Sequence, residues 1–396
     1  MIDIYSQALD NKITVNRILG HIKGFKSGPT VVFFGGIHGN ETAGVLALKD
    51  ALDGINVAHV KGSIYGLAGN CKALKLQQRY VDEDLNRLWT KERIAEIKSK
   101  TILNTEEEEL LIVLNILNGI LKNNQPPFYF IDLHTTSSKT LPFITINDAL
   151  INRKFSRLFP VPAVLGIEEY LHGPLLSYIN EMGYVSLGFE SGQHNDLRSI
   201  TNNIAFIYLT LVYSGVLEEN GVAQFSSYYQ QLQVQAAKMV DVFEVIYVHT
   251  ITPNHTFKMH EGFKSFQPIK KGTPLATGNN LEVKANHTGV MFMPLYQKRG
   301  AEGFFIIKPI HPFILKLSTI LRRIKIDGLL VALPGVSWLN KQEGVLQVNL
   351  KVAKFFAKSL FHLLGYRNKH LTPTHLKLNN RERVAKTEIY RGELWY

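Results

Sequence analysis

Val31-Val32-Phe33-Phe34-Gly35-Gly36-Ile37-His38-Gly39-Asn40-Glu41 is the stretch that decides the fold. A short run of β-branched and aromatic residues closed by glycine predicts a strand buried on both faces, as in a parallel sheet. The glycines suit a tight turn with close backbone approach. Thr42-Ala43-Gly44-Val45-Leu46-Ala47-Leu48 then predicts a helix. His38 and Glu41 thus fall between a strand's C-terminal edge and a helix's start, where open α/β sheets place ligands. Three positions apart at a helix start, the imidazole and the carboxylate can face one way and share a metal.

Two further stretches repeat this pattern. Phe128-Tyr129-Phe130-Ile131-Asp132-Leu133 predicts a strand with His134 at its end, and Tyr184-Val185-Ser186-Leu187-Gly188-Phe189 one that ends in Glu190. Two imidazoles and one carboxylate, two close together and one remote, are the ligands of a hydrolytic zinc site that keeps a position for water. Zinc lowers the pKa of that water to about 7. A bare His-x-x-Glu arises often by chance, and a lone His at a strand end is more often structural. The glycines around His38 and the shared strand-end placement tip the balance towards His38, Glu41 and His134 as metal ligands, with zinc favoured over other divalent ions. Asp132 either orients a ligand or points into the core.

Between these strands lies Arg79-Tyr80-Val81-Asp82-Glu83-Asp84-Leu85-Asn86-Arg87. Arginine offers a fork for a carboxylate or a developing oxyanion, and Asn86 a neutral donor. Alone, the run would be a solvated loop with surface ion pairs.

Apolar spacing predicts helices from about 105 to 122 and from 196 to 217. Glu106-Glu107-Glu108-Glu109 suits the first helix's opening turn, where acids meet the positive end of the dipole. Character changes near residue 240. Residues 242–252 and 262–307 predict short strands with turns. The expected organisation is a catalytic α/β domain over 1–240, a small β-domain over 241–310 closing the cleft, and an additional basic segment over 311–396. That last segment carries a helical pattern from about 345 to 364 and a partly ordered tail.

The chain has 396 residues, enough for a large core and more than one domain, and 45% hydrophobic with 10% aromatic residues argues against general disorder. No stretch has the apolar length to span a bilayer, and the start at Met1-Ile2-Asp3 has no signal-peptide pattern. With Cys71 the single cysteine, no intrachain disulfide is possible, and a cytoplasmic location is expected. The formal charge of +11 is concentrated after residue 310, in Leu321-Arg322-Arg323-Ile324-Lys325 and from Arg367 to Arg391. A solvated basic face is the favoured explanation. No nucleic-acid partner is expected, because no zinc-finger spacing or RNA-binding signature accompanies the charge.

Taken in order, Gly-x-His-Gly-Asn-Glu, Arg-Tyr-x-Asp-x-Asp-Leu-Asn-Arg, Asp-Leu-His-Thr-Thr and a strand-end Gly-x-Glu resemble the aspartoacylase and succinylglutamate desuccinylase family, relatives of the zinc carboxypeptidases. The resemblance covers roughly residues 30 to 300. It implies an α/β fold with a mixed sheet of carboxypeptidase type, a smaller C-terminal β-domain, and hydrolysis of an N-acyl amino acid to a carboxylate and an amine. It implies one Zn2+ on His38, Glu41 and His134, with Arg79 polarising the carbonyl. Asn86 and Arg87 would hold a substrate carboxylate, and Glu190 would be general base and then proton donor to the leaving amine. Tyr296 would enter the substrate cleft. The family's arginine about ten residues before the catalytic Glu is missing from Ser177-Tyr178-Ile179-Asn180, which puts an acidic amino acid in doubt. His194 either lines the pocket or sits on the loop. The partner is a small N-acyl amino acid, and a homo-oligomer is compatible. The competing readings are a zinc carboxypeptidase acting on peptides, and a protein that binds anionic polymers or membrane surfaces through residues 311–396.

Overall fold

The structure is a computed structural model and describes every residue but 253–254, 353–356 and 373. Its centre is an 11-stranded mixed sheet. The strands Lys26–Gly35, Phe128–Thr136 and Val185–Gln193 lie side by side in parallel, with Lys61–Ala68 and then Ile18–Lys23 completing one edge. These strands form because their side chains are apolar on both faces. Val31, Phe33, Tyr129 and Ile131 pack on one side with the helices Ala43–Asp53 and Leu197–Tyr213. Val32, Phe34, Phe128 and Phe130 pack on the other with the helix Thr105–Asn123. Alternate residues thus serve opposite layers, as the two-residue period of a strand requires. The fold is α/β, with a two-stranded antiparallel sheet of Ile2–Ser6 and Asn11–Val15 at the N-terminus and two further small antiparallel sheets towards the C-terminus.

Beyond Val185–Gln193 the sheet reverses. Phe143–Ile146 runs antiparallel to it, Ala163–Leu165 and Val242–Thr250 follow in parallel, and Glu302–Pro309 and Gly289–Phe292 add antiparallel strands. The sheet therefore crosses residue 240 without a break. A three-stranded sheet of Phe257–Met259, Pro274–Gly278 and Leu281–Lys284 lies beside this edge.

Residues 311–396 differ from the sequence expectation in three ways. Val345–Asn349, expected to be helical, is a strand, paired with His375–Asn380 and Val336–Asn340. Leu346 and Val348 alternate towards the same core as Leu376 and Leu378, so the apolar pattern there has a strand's period. Only Ala357–Leu363 of the expected helix is helical, and 353–356 lie outside the described residues.

The tail is also not loose. Tyr390 is fully buried, its hydroxyl bonded to Phe128 O and accepting from Val185 N at 2.9 Å, while Trp395 Nε1 donates to Tyr129 Oη at 3.1 Å. Finally, the basic residues are not all a solvated face. Arg322, Arg367 and Arg381 are buried. Arg322 and Arg367 are held by Asp148, a fully buried carboxylate of the main domain, because a buried guanidinium requires such a partner. Among the described residues no helix is long and apolar enough to cross a membrane.

Candidate active site

The turn after Lys26–Gly35 carries His38 and Glu41. Gly36 takes a positive φ of 70°, and a Cβ on Gly39 would stand 2.1 Å from the carbonyl carbon of Ala73. Glycine alone permits this path against the helix Cys71–Leu76. The path sets His38 Nδ1 2.8 Å from Glu41 Oε1, while His134, on the next strand, sets its Nδ1 3.0 Å from Glu41 Oε2. All three side chains are buried. One donor atom from each lies within 4.8 Å of the others, the one such group of metal-ligating side chains among the described residues.

The remaining ring nitrogens face carboxylates. His38 Nε2 is 3.1 Å from Asp84 Oδ1, and His134 Nε2 is 2.7 Å from Asp132 Oδ2. Metal-binding histidines are fixed in this manner, with one nitrogen anchored and the other presented to the ion. The donor set therefore fits a divalent metal. Burial works against ionisation of Glu41, yet the imidazoles of His38 and His134 outweigh it and hold the carboxyl well below its usual range. Burial likewise opposes charge on His134, but Asp132 and Glu41 raise it well above the ordinary imidazole value. The corner is thus built for alternating charge.

Glu190 stands beside His134 in the parallel register and opposite Phe143 on the other side. Its Oε2 is buried without a hydrogen-bond partner among the described residues. Burial pushes its carboxyl up to about 7, with His134 and His38 opposing and Glu41 and Asp132 adding to the rise. A carboxyl near neutrality can take a proton and return it.

Arg79 donates through Nε and Nη2 to Asp84 Oδ2 at 3.1 and 2.9 Å, with Nη1 3.7 Å from Glu41 Oε1. Its loop is fixed by Glu106, whose carboxylate accepts from the backbone N–H groups of Val81, Asp82 and Glu83 at 2.7, 2.9 and 3.2 Å. The acidic run does open a helix, with Asn104 and Glu107 forming a capping box. Glu106 is in addition the clamp that holds the arginine loop, a role without a local sequence signal.

Asn86 lines the cleft and accepts from Leu175 N at 2.8 Å, which leaves its amide NH2 as the donor it can offer. Arg87 also lines the cleft, but its Nη2 already donates to Glu302 Oε1 at 2.9 Å. Tyr296 needs correction. Its hydroxyl donates to the backbone oxygens of His260 and Phe263 at 2.8 and 3.1 Å and accepts from Phe263 N, so it is engaged within its own lobe, and it does not line the cleft. Gln297, next in sequence, does. His194, left open by the sequence, lines the cleft with its Nδ1 2.7 Å from Thr135 Oγ1 and its Nε2 3.2 Å from Gln297 Oε1. Asp84, Glu168 and Glu302 are site residues to which sequence reasoning assigned no role. Asp84 alone had a signal, its place in the quoted arginine loop. The cleft has a volume of about 130 Å³, and Met293, Pro294 and Leu295 line it from the β-rich side.

Comparison with known proteins agrees with this geometry. Residues 27–213 match the succinylglutamate desuccinylase/aspartoacylase catalytic domain. The chain is 30% identical over 124 residues to a probable aspartoacylase of Trichodesmium erythraeum (strain IMS101), covering 31% of this chain and 41% of that protein. It is 35% identical over 124 residues to a probable aspartoacylase of Acaryochloris marina (strain MBIC 11017), covering 31% and 40%. It thus spans less than half the length of these curated relatives. Among solved structures it resembles a succinylglutamate desuccinylase/aspartoacylase from Rhodobacter sphaeroides, with TM-score 0.57 and 17% identity over 74% of this chain and 88% of that one. It also resembles the product-bound ectoine utilization protein EutE (DoeB) from Ruegeria pomeroyi, with TM-score 0.54 and 18% identity over 74% and 88%. At these identities the structural likeness shows a shared fold.

Proposed function

We propose, on the premise that residues 27–213 are a catalytic domain of the succinylglutamate desuccinylase/aspartoacylase family, that this protein is a zinc-dependent amidohydrolase cleaving a small N-acyl amino acid or related amine. The observation that carries this is the convergence of His38, Glu41 and His134 on one corner, with the unpartnered Glu190 Oε2 on the adjacent strand.

His38, Glu41 and His134 would hold a zinc ion, which would supply Lewis acidity for the amide carbonyl and would lower the pKa of a water to about 7. Glu190 takes the proton of the attacking water and returns it to the amide nitrogen as the carbon–nitrogen bond breaks. Arg79, fixed by Asp84, meets the oxyanion that develops on the carbonyl oxygen. Asn86 and Arg87 hold the substrate carboxylate, with Arg87 sharing its guanidinium between that group and Glu302. The products are a carboxylate and a free amine.

The small volume of the cleft, about 130 Å³, supports small substrates over the peptides of a carboxypeptidase. A hydrolysis screen of N-acetyl, N-succinyl and N-formyl amino acids against short peptides tests the reading. At least one acyl amino acid should exceed every peptide tenfold in kcat/KM, and preferential peptide cleavage would overturn it.

A further inference from the structure

The helix Pro312–Arg323 opens the C-terminal segment and presents an apolar side to solvent. Leu315, Ser318 and Arg322, three and four residues apart, form its buried face. Ser318 Oγ donates to Leu363 O at 2.7 Å, and Arg322 reaches Asp148 and Glu382. Phe313, Leu317, Ile320 and the C-cap residue Ile324 recur at four, three and four residues, so they form a stripe on the opposite side. Leu317 is half-buried, but Phe313, Ile320 and Ile324 are 65%, 57% and 63% exposed. A surface helix ordinarily turns such a stripe to the core. A contiguous apolar row left in water marks a contact with something outside the chain.

The charges beside the stripe are positive. Lys316 and Arg323, seven residues apart, lie along one flank of the helix, and Lys325 follows its end. All three are exposed, and none has an ion pair among the described residues. Residues 312–325 contain no Asp or Glu. Arg323 and Lys325 also line an open basin of about 830 Å³ whose acidic side chains are each paired, Asp327 with Arg383, Glu382 with Arg322 and Glu388 with Arg391. Lys154, on the same wall, is taken up by Tyr396 O at 2.6 Å. Arg323 and Lys325 are thus the uncommitted cations of that basin among the described residues.

Stripe and charge together identify the partner. Apolar side chains in a row require an apolar medium, which the phosphate backbone of a nucleic acid does not offer. Flanking cations without acids require negative charge. The same helix of a second copy would instead set Lys316, Arg323 and Lys325 against identical cations, and like charges face to face are unfavourable. An anionic lipid surface supplies both needs, acyl chains for the stripe and headgroups for the cations.

We propose that the helix Pro312–Arg323, with Ile324 and Lys325, is a docking surface for an anionic phospholipid membrane. Phe313, Leu317, Ile320 and Ile324 enter the boundary between headgroups and acyl chains, and Lys316, Arg323 and Lys325 meet the headgroups. At 12 residues the helix lies along the bilayer surface and does not cross it. Such docking is independent of the chemistry in the cleft.

Flotation of the full chain with vesicles measures it, using phosphatidylcholine alone and an equal mixture of phosphatidylcholine and phosphatidylserine. Binding to the mixed vesicles should be roughly tenfold tighter or more, and should weaken as salt rises. Ile320→Ser combined with Ile324→Ser should lower it by roughly tenfold or more, and so should Lys316→Glu combined with Arg323→Glu. All four side chains are exposed, so both variants should melt with wild type. Phe313→Ser, in the helix's first turn, should weaken binding in the same direction and stands in for the isoleucine pair if that variant melts lower. Phe25→Ser, at an 87% exposed residue outside this segment, should bind as wild type does. Equal binding to both vesicles, or none to either, overturns the proposal. Loss with the charge variant but not with the apolar ones also overturns it, because adsorption is then by charge alone. A lipid-free dimer in sedimentation velocity that the isoleucine pair disperses, without vesicle binding, assigns the stripe to a second copy and overturns the membrane.

Discussion

At one end of the cleft, His134 and Glu190 occupy adjacent parallel strands, and His38 and Glu41 the turn that follows a third. At the other end, Asn147, Glu168 and Ser177 stand on or beside connections, and the position of Glu168 depends on Arg367 from the C-terminal segment. The first end is positioned by backbone register, which a single side-chain change does not disturb. The second is positioned by buried ion pairs, where removal of one partner leaves a charge exposed to low dielectric. The first end is thus rigid, and the second is adjustable by exchange of a single ion-pair partner.

The largest effect should come from Glu190→Gln. It removes the proton carrier without disturbing the sheet, so turnover should fall by roughly 10²–10⁴-fold while metal content is unchanged. Loss of metal instead would make Glu190 a structural residue. The same variant has a pH signature in metal-free protein. The folded carboxyl sits at about 7 against an ordinary value of 4.5. Wild-type stability is therefore fully present below about 4.5 and is lost as pH rises through about 7. Glutamine does not titrate, so the variant should gain on wild type across that window, by roughly 2–4 kcal/mol at pH 8. Thermal unfolding at pH 5 and pH 8 reads this directly, and a pH-independent difference would contradict the shift.

Glu106→Gln tests whether the arginine loop is held from below. The carboxylate accepts three backbone N–H groups and Asn70 Nδ2, so its neutralisation should cost about 1–3 kcal/mol of stability. It should also lower kcat more than it raises KM, because Arg79 loses its placement. An unchanged melting temperature would show that the loop holds itself. Tyr296→Phe should do least. It removes hydrogen bonds internal to its lobe, at about 0.5–1.5 kcal/mol each, with a change in kcat/KM below about twofold. A tenfold loss would return Tyr296 to the cleft.

The rigid end was legible in the sequence because its determinants are local. Apolar runs at 31–35, 128–133 and 184–189 suffice to specify buried parallel strands, and the polar residues at their ends follow. The adjustable end was not legible. Ile167-Glu168-Glu169 carries no local signal of burial, and Arg367, one of the groups that hold it, is remote in the chain. Arg322 and Arg367 looked like a solvated basic face for the same reason, since their partner Asp148 is equally distant. Tyr296 was misplaced because a single step of backbone decides whether it or Gln297 faces the cleft. The pattern over 345–364 mixes a strand's alternation at Leu346 and Val348 with the helix Ala357–Leu363, and spacing alone does not separate the two.

The central claim is that His38, Glu41 and His134 form one metal site on which hydrolysis depends. The most direct measurement is a zinc titration of chelator-treated protein, following bound metal and acyl amino acid hydrolysis together, for wild type and His134→Ala. The account predicts that wild type takes up one zinc per chain and that activity rises in step to a plateau at one equivalent. His134→Ala should bind weakly and remain at least about a thousandfold less active. Full activity without metal, or saturation that leaves hydrolysis unchanged, would contradict it.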